Sequence, residues 1–64
     1  EPSGVTEADA ENIALGAVPG KVTDIAIEMK LGKLNYVVEV QKTGGEEVDV
    51  IIDRETGKVL LIES

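Results

Sequence analysis

An α+β fold, one amphipathic helix followed by an antiparallel four-stranded meander, is what this chain's order of residues predicts. Two observations carry that expectation. Apolar residues recur with a period near 3.6 up to Val18 and with a period of two afterwards. Glycine-bearing turn signals then divide the second part at intervals suited to hairpins. The chain of 64 residues is 42% apolar with one aromatic residue, Tyr36, so the core is expected to be aliphatic. Cysteine is absent, which leaves hydrophobic packing, helped by self-association if it occurs, to hold so short a chain together.

The helix is expected over about 6–18. Thr6 suits an N-cap, Asp9 stands at the third helical position for a capping box, and Val5 is placed to pack on Ala10. Ala10, Ile13, Ala14, Ala17 and Val18 form the apolar stripe, while Glu7 and Asp9 favour the positive end of the helix dipole. Pro19-Gly20 stops the helix. A stripe built mostly from alanine permits close approach to a sheet, with Ile13 as its main anchor.

Strands are expected at about 22–31, 34–42, 46–53 and 58–63. Ile25, Ile27, Met29 and Leu31 alternate with Asp24, Ala26, Glu28 and Lys30, and Leu34, Tyr36, Val38 and Val40 repeat the alternation. Gly32-Lys33 between them has glycine first, as a two-residue type II′ loop requires, which would set Leu31 against Leu34 and Met29 against Tyr36. Val22 is out of phase and marks either a bulge or the lead-in to the strand. Thr43-Gly44-Gly45 suits a three-residue loop that sets Val48, Val50 and Ile52 on the face of Val40, Val38 and Tyr36. In the turn from Asp53 to Lys58, Asp53 can cap and Gly57 can take a positive φ.

Val5-Thr6, the helix from Ala10 to Leu15, Pro19-Gly20-Lys21-Val22, Tyr36-Val37-Val38-Glu39-Val40, and Asp53 with Thr56-Gly57-Lys58-Val59-Leu60 together form a pattern that covers nearly the whole chain. In order and spacing it resembles the PepSY domain of peptidase propeptides and exported bacterial proteins. Arg54 stands where the family usually has a small residue. The resemblance implies a cystatin-like helix-on-sheet fold, an extracytoplasmic setting at the cell surface or beyond it, and a role in restraining or assisting peptidases. It supplies no catalytic or ligand-binding residue to transfer.

Thirteen acidic residues against six basic ones give a net charge of −7, which disfavours nucleic acid and anionic lipid as partners. No apolar run approaches the ~20 residues of a membrane span, so this segment is not expected to insert directly. The first residues, Glu1-Pro2-Ser3-Gly4, suggest a trimmed fragment or a mature form. With neither histidine nor cysteine, the commonest general base, thiol nucleophile and transition-metal ligands are lacking. Ser3 and Ser64 both lie near the ends, a poor place to hold a nucleophile. Glu39 opposite Asp49 could act as an acid/base pair but reads more simply as a solvated feature, and the carboxylates of the Asp53 turn read as turn caps rather than calcium ligands. No enzyme activity and no cofactor are expected.

The expected interaction surface is the sheet face opposite the helix. There Val37 lies beside Ile51, Ile51 is expected to face Leu60, and Ile62 continues the row among Glu28, Glu39 and Asp49. Val37, Ile51, Leu60 and Ile62 are thus the candidate protein-binding residues. The partner would be a peptidase that the domain restrains or, as an intramolecular chaperone, assists; the alternative is a second copy of the domain in a structural homodimer.

Overall fold

The computed structural model describes residues 4–64; Ser3 lies outside them. Helix α1 spans Glu7–Ala17 and is followed by β1 (Gly20–Lys30), β2 (Lys33–Lys42), β3 (Glu47–Asp53) and β4 (Val59–Glu63). The strands form one antiparallel sheet in the order β1-β2-β3-β4, and α1 packs on one face of it. The helix-on-meander expectation holds.

Thr6 caps α1 through the expected box: its Oγ1 accepts the Asp9 N–H at 3.1 Å, and its own N–H reaches an Asp9 carboxylate oxygen at 3.3 Å. Ala10 and Ala14 are fully buried and Val18 nearly so, whereas Ile13 and Leu15 are half-buried at the rim of the same core. Ala17, expected in the stripe, is exposed because the helix ends there and turns away through Val18 and Pro19. Gly20 then runs so close to β2 that a Cβ on it would collide with the Gln41 carbonyl. Only glycine allows that approach.

The β1–β2 register differs from the expected one by two residues. The loop is Leu31-Gly32, with φ of 56° and 81°, a type I′ turn closed by Lys30 and Lys33. Met29 therefore faces Leu34, and Ile27 faces Tyr36. A shift of two preserves the faces, so Ile25, Ile27 and Met29 remain on the helix side. A bulge at Thr23 returns Val22 to that side opposite Val40, which decides between the two readings of Val22. The Thr43-Gly44-Gly45 loop matches expectation: Gly45 N–H donates to the Lys42 carbonyl, and Val40, Val38 and Tyr36 face Val48, Val50 and Ile52.

Between β3 and β4, Asp53 N–H donates to the Lys58 carbonyl at 2.9 Å, and Gly57 takes a φ of 80° as anticipated. The core on the helix side comprises Ala10, Ala14, Val18, Tyr36, Val38, Val40, Val48, Val50 and Ile52. The N-terminal segment is clipped to this core. Val5 N–H donates to the Arg54 carbonyl at 2.7 Å, its carbonyl accepts the Tyr36 hydroxyl at 2.7 Å, and the Arg54 guanidinium lies 5.8 Å from the Tyr36 ring centre.

Candidate functional site

The face opposite the helix is not the open apolar patch that alternation suggests. Val37 lies between Ala26 and Ile51, and Ile51 between Val37 and Leu61. Ile51 is completely buried and Val37 is 8% exposed, although neither belongs to the core beneath the helix. Long side chains of the same face converge over the two central strands. Lys30 of β1 approaches Glu63 of β4 at 3.9 Å, and these two edge strands are separated by β2 and β3. With strands about 4.8 Å apart, that pair must reach diagonally across β2 and β3, the strands that carry Val37 and Ile51.

A second bulge corrects the rest of the expected row. Ile52 faces Val59 but Ile51 faces Leu61, leaving Leu60 as the extra, half-buried residue between them. The bulge inverts the alternation. Leu61, 40% exposed, joins Val37 and Ile51, whereas Ile62 faces Val50 on the helix side. Of Val37, Ile51, Leu60 and Ile62, the structure therefore brings only the first two together, and it buries both.

Carboxylates surround this strip. Glu39 faces Asp49 and Asp49 faces Glu63, so three acidic side chains stand in line across β2, β3 and β4. Partial burial, and then the charges of Glu39, Glu63 and Glu28, hold the Asp49 carboxyl above the ordinary aspartate range. The Asp53 turn works differently. One Asp53 oxygen accepts the Glu55 N–H at 2.8 Å and the other accepts Lys33 Nζ at 2.7 Å. These bonds, the Lys33 one foremost, hold Asp53 below its ordinary range, and Lys33 is raised in turn. An ammonium thus occupies the position a cation would take. Among the described residues no group of three or more His, Cys, Asp or Glu is disposed to hold a metal.

Apart from Leu61 on this face and Ile62 on the other, the exposed large apolar residues lie elsewhere. Ile27, Met29, Leu31 and Leu34 are 46%, 65%, 65% and 46% exposed and gather at the free end of the β1–β2 hairpin, Leu31 in the turn and the other three on the helix side. Lengths explain this. Eleven helical residues extend about 16 Å, whereas the eleven of β1 extend about 36 Å, so α1 cannot cover the hairpin's far half. The alternation sets these residues on one side of the sheet without showing how far the helix covers them; comparing element lengths reveals their exposure.

Leu31 is the anomaly within this group, a large apolar residue that packs on little while holding a left-handed backbone conformation. Below the tip the hairpin is braced. Buried Asn35 donates through Nδ2 to the Lys30 carbonyl at 2.8 Å and the Lys33 carbonyl at 3.2 Å, while Lys33 is tied to Asp53. Next to it, Gly4, Val5, Lys33, Leu34, Asp53, Arg54 and Glu55 line an open recess of about 400 Å³.

The helix-on-meander geometry agrees with the family comparison, in which the model described as "Peptidase propeptide and YPEB domain" matches residues 4–63. The chain is a PepSY domain. It is 43% identical over 56 residues to uncharacterized protein YkoJ of Bacillus subtilis (strain 168), an alignment covering 88% of this chain and 32% of that protein. The chain thus spans about a third of the length of the relative it matches. No solved structure matches. PepSY domains are in general non-catalytic, propeptide-like and extracellular, and they often regulate peptidases. No helix among the described residues is long and apolar enough to cross a membrane.

Proposed function

We propose that this PepSY domain is a non-catalytic binding module that restrains or modulates an extracytoplasmic peptidase, and that it meets its partner with the free end of the β1–β2 hairpin. Family membership supports the class of role. The observation that carries the choice of surface is Leu31. A non-glycine residue in the left-handed region costs about 1–3 kcal/mol, and here neither burial nor a polar side chain offsets it. Asparagine or glycine would close the same type I′ turn at lower cost. A sequence with leucine there gives up stability to display an apolar side chain, with Met29 and Leu34 beside it on a braced hairpin.

The test pairs inhibition with stability. The purified domain is titrated against secreted zinc metallopeptidases, and residual peptidase activity is read. Leu31→Asn is expected to weaken inhibition about tenfold while leaving the urea midpoint unchanged or raised. Equal inhibition by the variant would remove the hairpin end from the interface, and failure of the wild type to affect any of the peptidases would overturn the proposed role.

A further inference from the structure

We infer that two copies of this domain associate edge to edge through β1, antiparallel about Ile27, to join their sheets into one. The inference does not rest on the peptidase-binding role: it is argued from the strand edge, although Met29 belongs to both surfaces.

The two sheet edges differ. β4 is five residues long and interrupted by the bulge at Leu60, two features that blunt an edge against further pairing. β1 is eleven residues long, and beyond its bulge at Thr23 the run from Asp24 to Lys30 is regular and free of proline and glycine. Its outward backbone groups form a ready template for another strand.

Hairpin geometry specifies which groups those are. Lys30 and Lys33 flank a two-residue loop and form a hydrogen-bonded pair, and such pairs alternate along the ladder. Lys30, Glu28, Ala26 and Asp24 therefore turn their amides and carbonyls toward β2. Ile25, Ile27 and Met29 turn theirs outward, and the same three residues carry the apolar side chains on the helix side. A second β1 that keeps this apolar row on one face must set these residues against their counterparts.

Charge then selects the register. Antiparallel pairing centred on Ala26 would oppose Asp24 to Glu28 of the other copy, and pairing centred on Glu28 would oppose Glu28 to itself. Centring on Met29 opposes Glu28 to Lys30 but leaves only Glu28 to Lys30 in the ladder before the Leu31-Gly32 turn intervenes. Centring on Ile27 pairs the whole run from Asp24 to Lys30, opposes Ile27 to Ile27 and Ile25 to Met29, and sets Asp24 against Lys30 on both sides of the two-fold axis. Lys30 gains the Asp24 carboxylate in exchange for its 3.9 Å contact with Glu63, which is long and partly exposed. The contact would cover Ile27 and Met29, the exposed apolar residues of β1, in a domain whose own core is small.

Sedimentation at physiological salt, from micromolar to millimolar protein, tests the association, and amide hydrogen exchange tests the edge. We expect a monomer–dimer equilibrium, with the Ile25, Ile27 and Met29 amides gaining protection as concentration rises. Asp24→Lys and Lys30→Asp should each weaken the dimer about tenfold, and the double variant D24K/K30D should restore it. A wild type that stays monomeric, or a dimer in which those three amides exchange as in the monomer, would overturn the inference. Single variants as dimeric as the wild type, or a double variant no better than either single, would overturn the register. Circular dichroism confirms the fold of each variant; if Lys30→Asp fails to fold, the wild-type exchange measurement still decides the edge and Asp24→Lys the register.

Discussion

Replacing Ile51 separates the structure's account of the sheet from the one that alternation alone suggests. On an open face, Ile51→Lys would place its ammonium in solvent and leave the fold intact. In the structure Ile51 has no exposed surface, lying between Val37 and Leu61 under the reach of Lys30 and Glu63. Truncating a buried isoleucine to alanine costs about 2–5 kcal/mol. The lower half of that range applies here, because side chains rather than a second layer cover the site and can settle into the space. Ile51→Ala should therefore cost ~2–3 kcal/mol. Ile51→Lys should cost at least as much, since the lysine must displace that cover to bring its charge to water. A chain of 64 residues has a total stability of about 3–10 kcal/mol, so the lysine variant should be largely unfolded or should melt far below the wild type. Urea titration followed by circular dichroism measures this, with Ile51→Val as a control expected to lose ~0.5–1.5 kcal/mol. An Ile51→Lys midpoint equal to that of the wild type would refute the reasoning and return this face to the candidate interfaces.

Ile13→Ala removes the largest side chain of the helix stripe; because Ile13 is half-buried beside Gly57 and Val5, the expected loss is ~1–3 kcal/mol, read from the urea midpoint. Acid should affect two aspartates in opposite directions. The folded state depresses Asp53, so the stability it contributes is present above the ordinary aspartate range and is lost as pH falls through its lowered value. Asp49 is raised, so its carboxylate form opposes folding at neutral pH and protonation relieves that cost. Asp49→Asn should stabilise the domain at neutral pH by on the order of 0.5 kcal/mol, with the gain vanishing below the ordinary aspartate range. Asp53→Asn should destabilise at neutral pH and converge on the wild type in acid, and paired urea titrations at the two pH values check both signs.

Features governed by a local rule were legible in the sequence. The Thr6–Asp9 capping box, the Thr43-Gly44-Gly45 loop and the positive φ of Gly57 each depend on a few adjacent residues. The type of the β1–β2 turn was not legible, because Gly32 can begin a II′ loop as readily as it can end an I′ loop, and choosing the latter requires Leu31 to adopt an unfavourable backbone. The slip of two was harmless to the faces. The bulge at Leu60 was not harmless, since one extra residue moves Ile62 to the helix side and puts Leu61 in its place. The burial of Val37 and Ile51 goes with an approach of Lys30 to Glu63, which lie far apart in the chain, and no local pattern reports such a contact.

The same disproportion of lengths gives the domain both its stable half and its exposed half. Ala10 and Ala14 let α1 lie close to the valines of β2 and β3, forming a compact core with few large side chains. That economy leaves no helix to cover the end of the β1–β2 hairpin. A chain selected for stability alone would place polar residues there, and this one places Ile27, Met29, Leu31 and Leu34. It also spends its buried polar groups on holding that end in position. Asn35 ties the two sides of the turn together through the Lys30 and Lys33 carbonyls, leaving its own Oδ1 without a partner, and Asp53 anchors Lys33 from β3. An unpaired buried acceptor costs about 1–3 kcal/mol, about what the two Asn35 hydrogen bonds contribute together, so the brace adds little net stability. The proposed role in presenting a surface accounts for it, because a contact held in its bound shape loses less conformational entropy when a partner arrives.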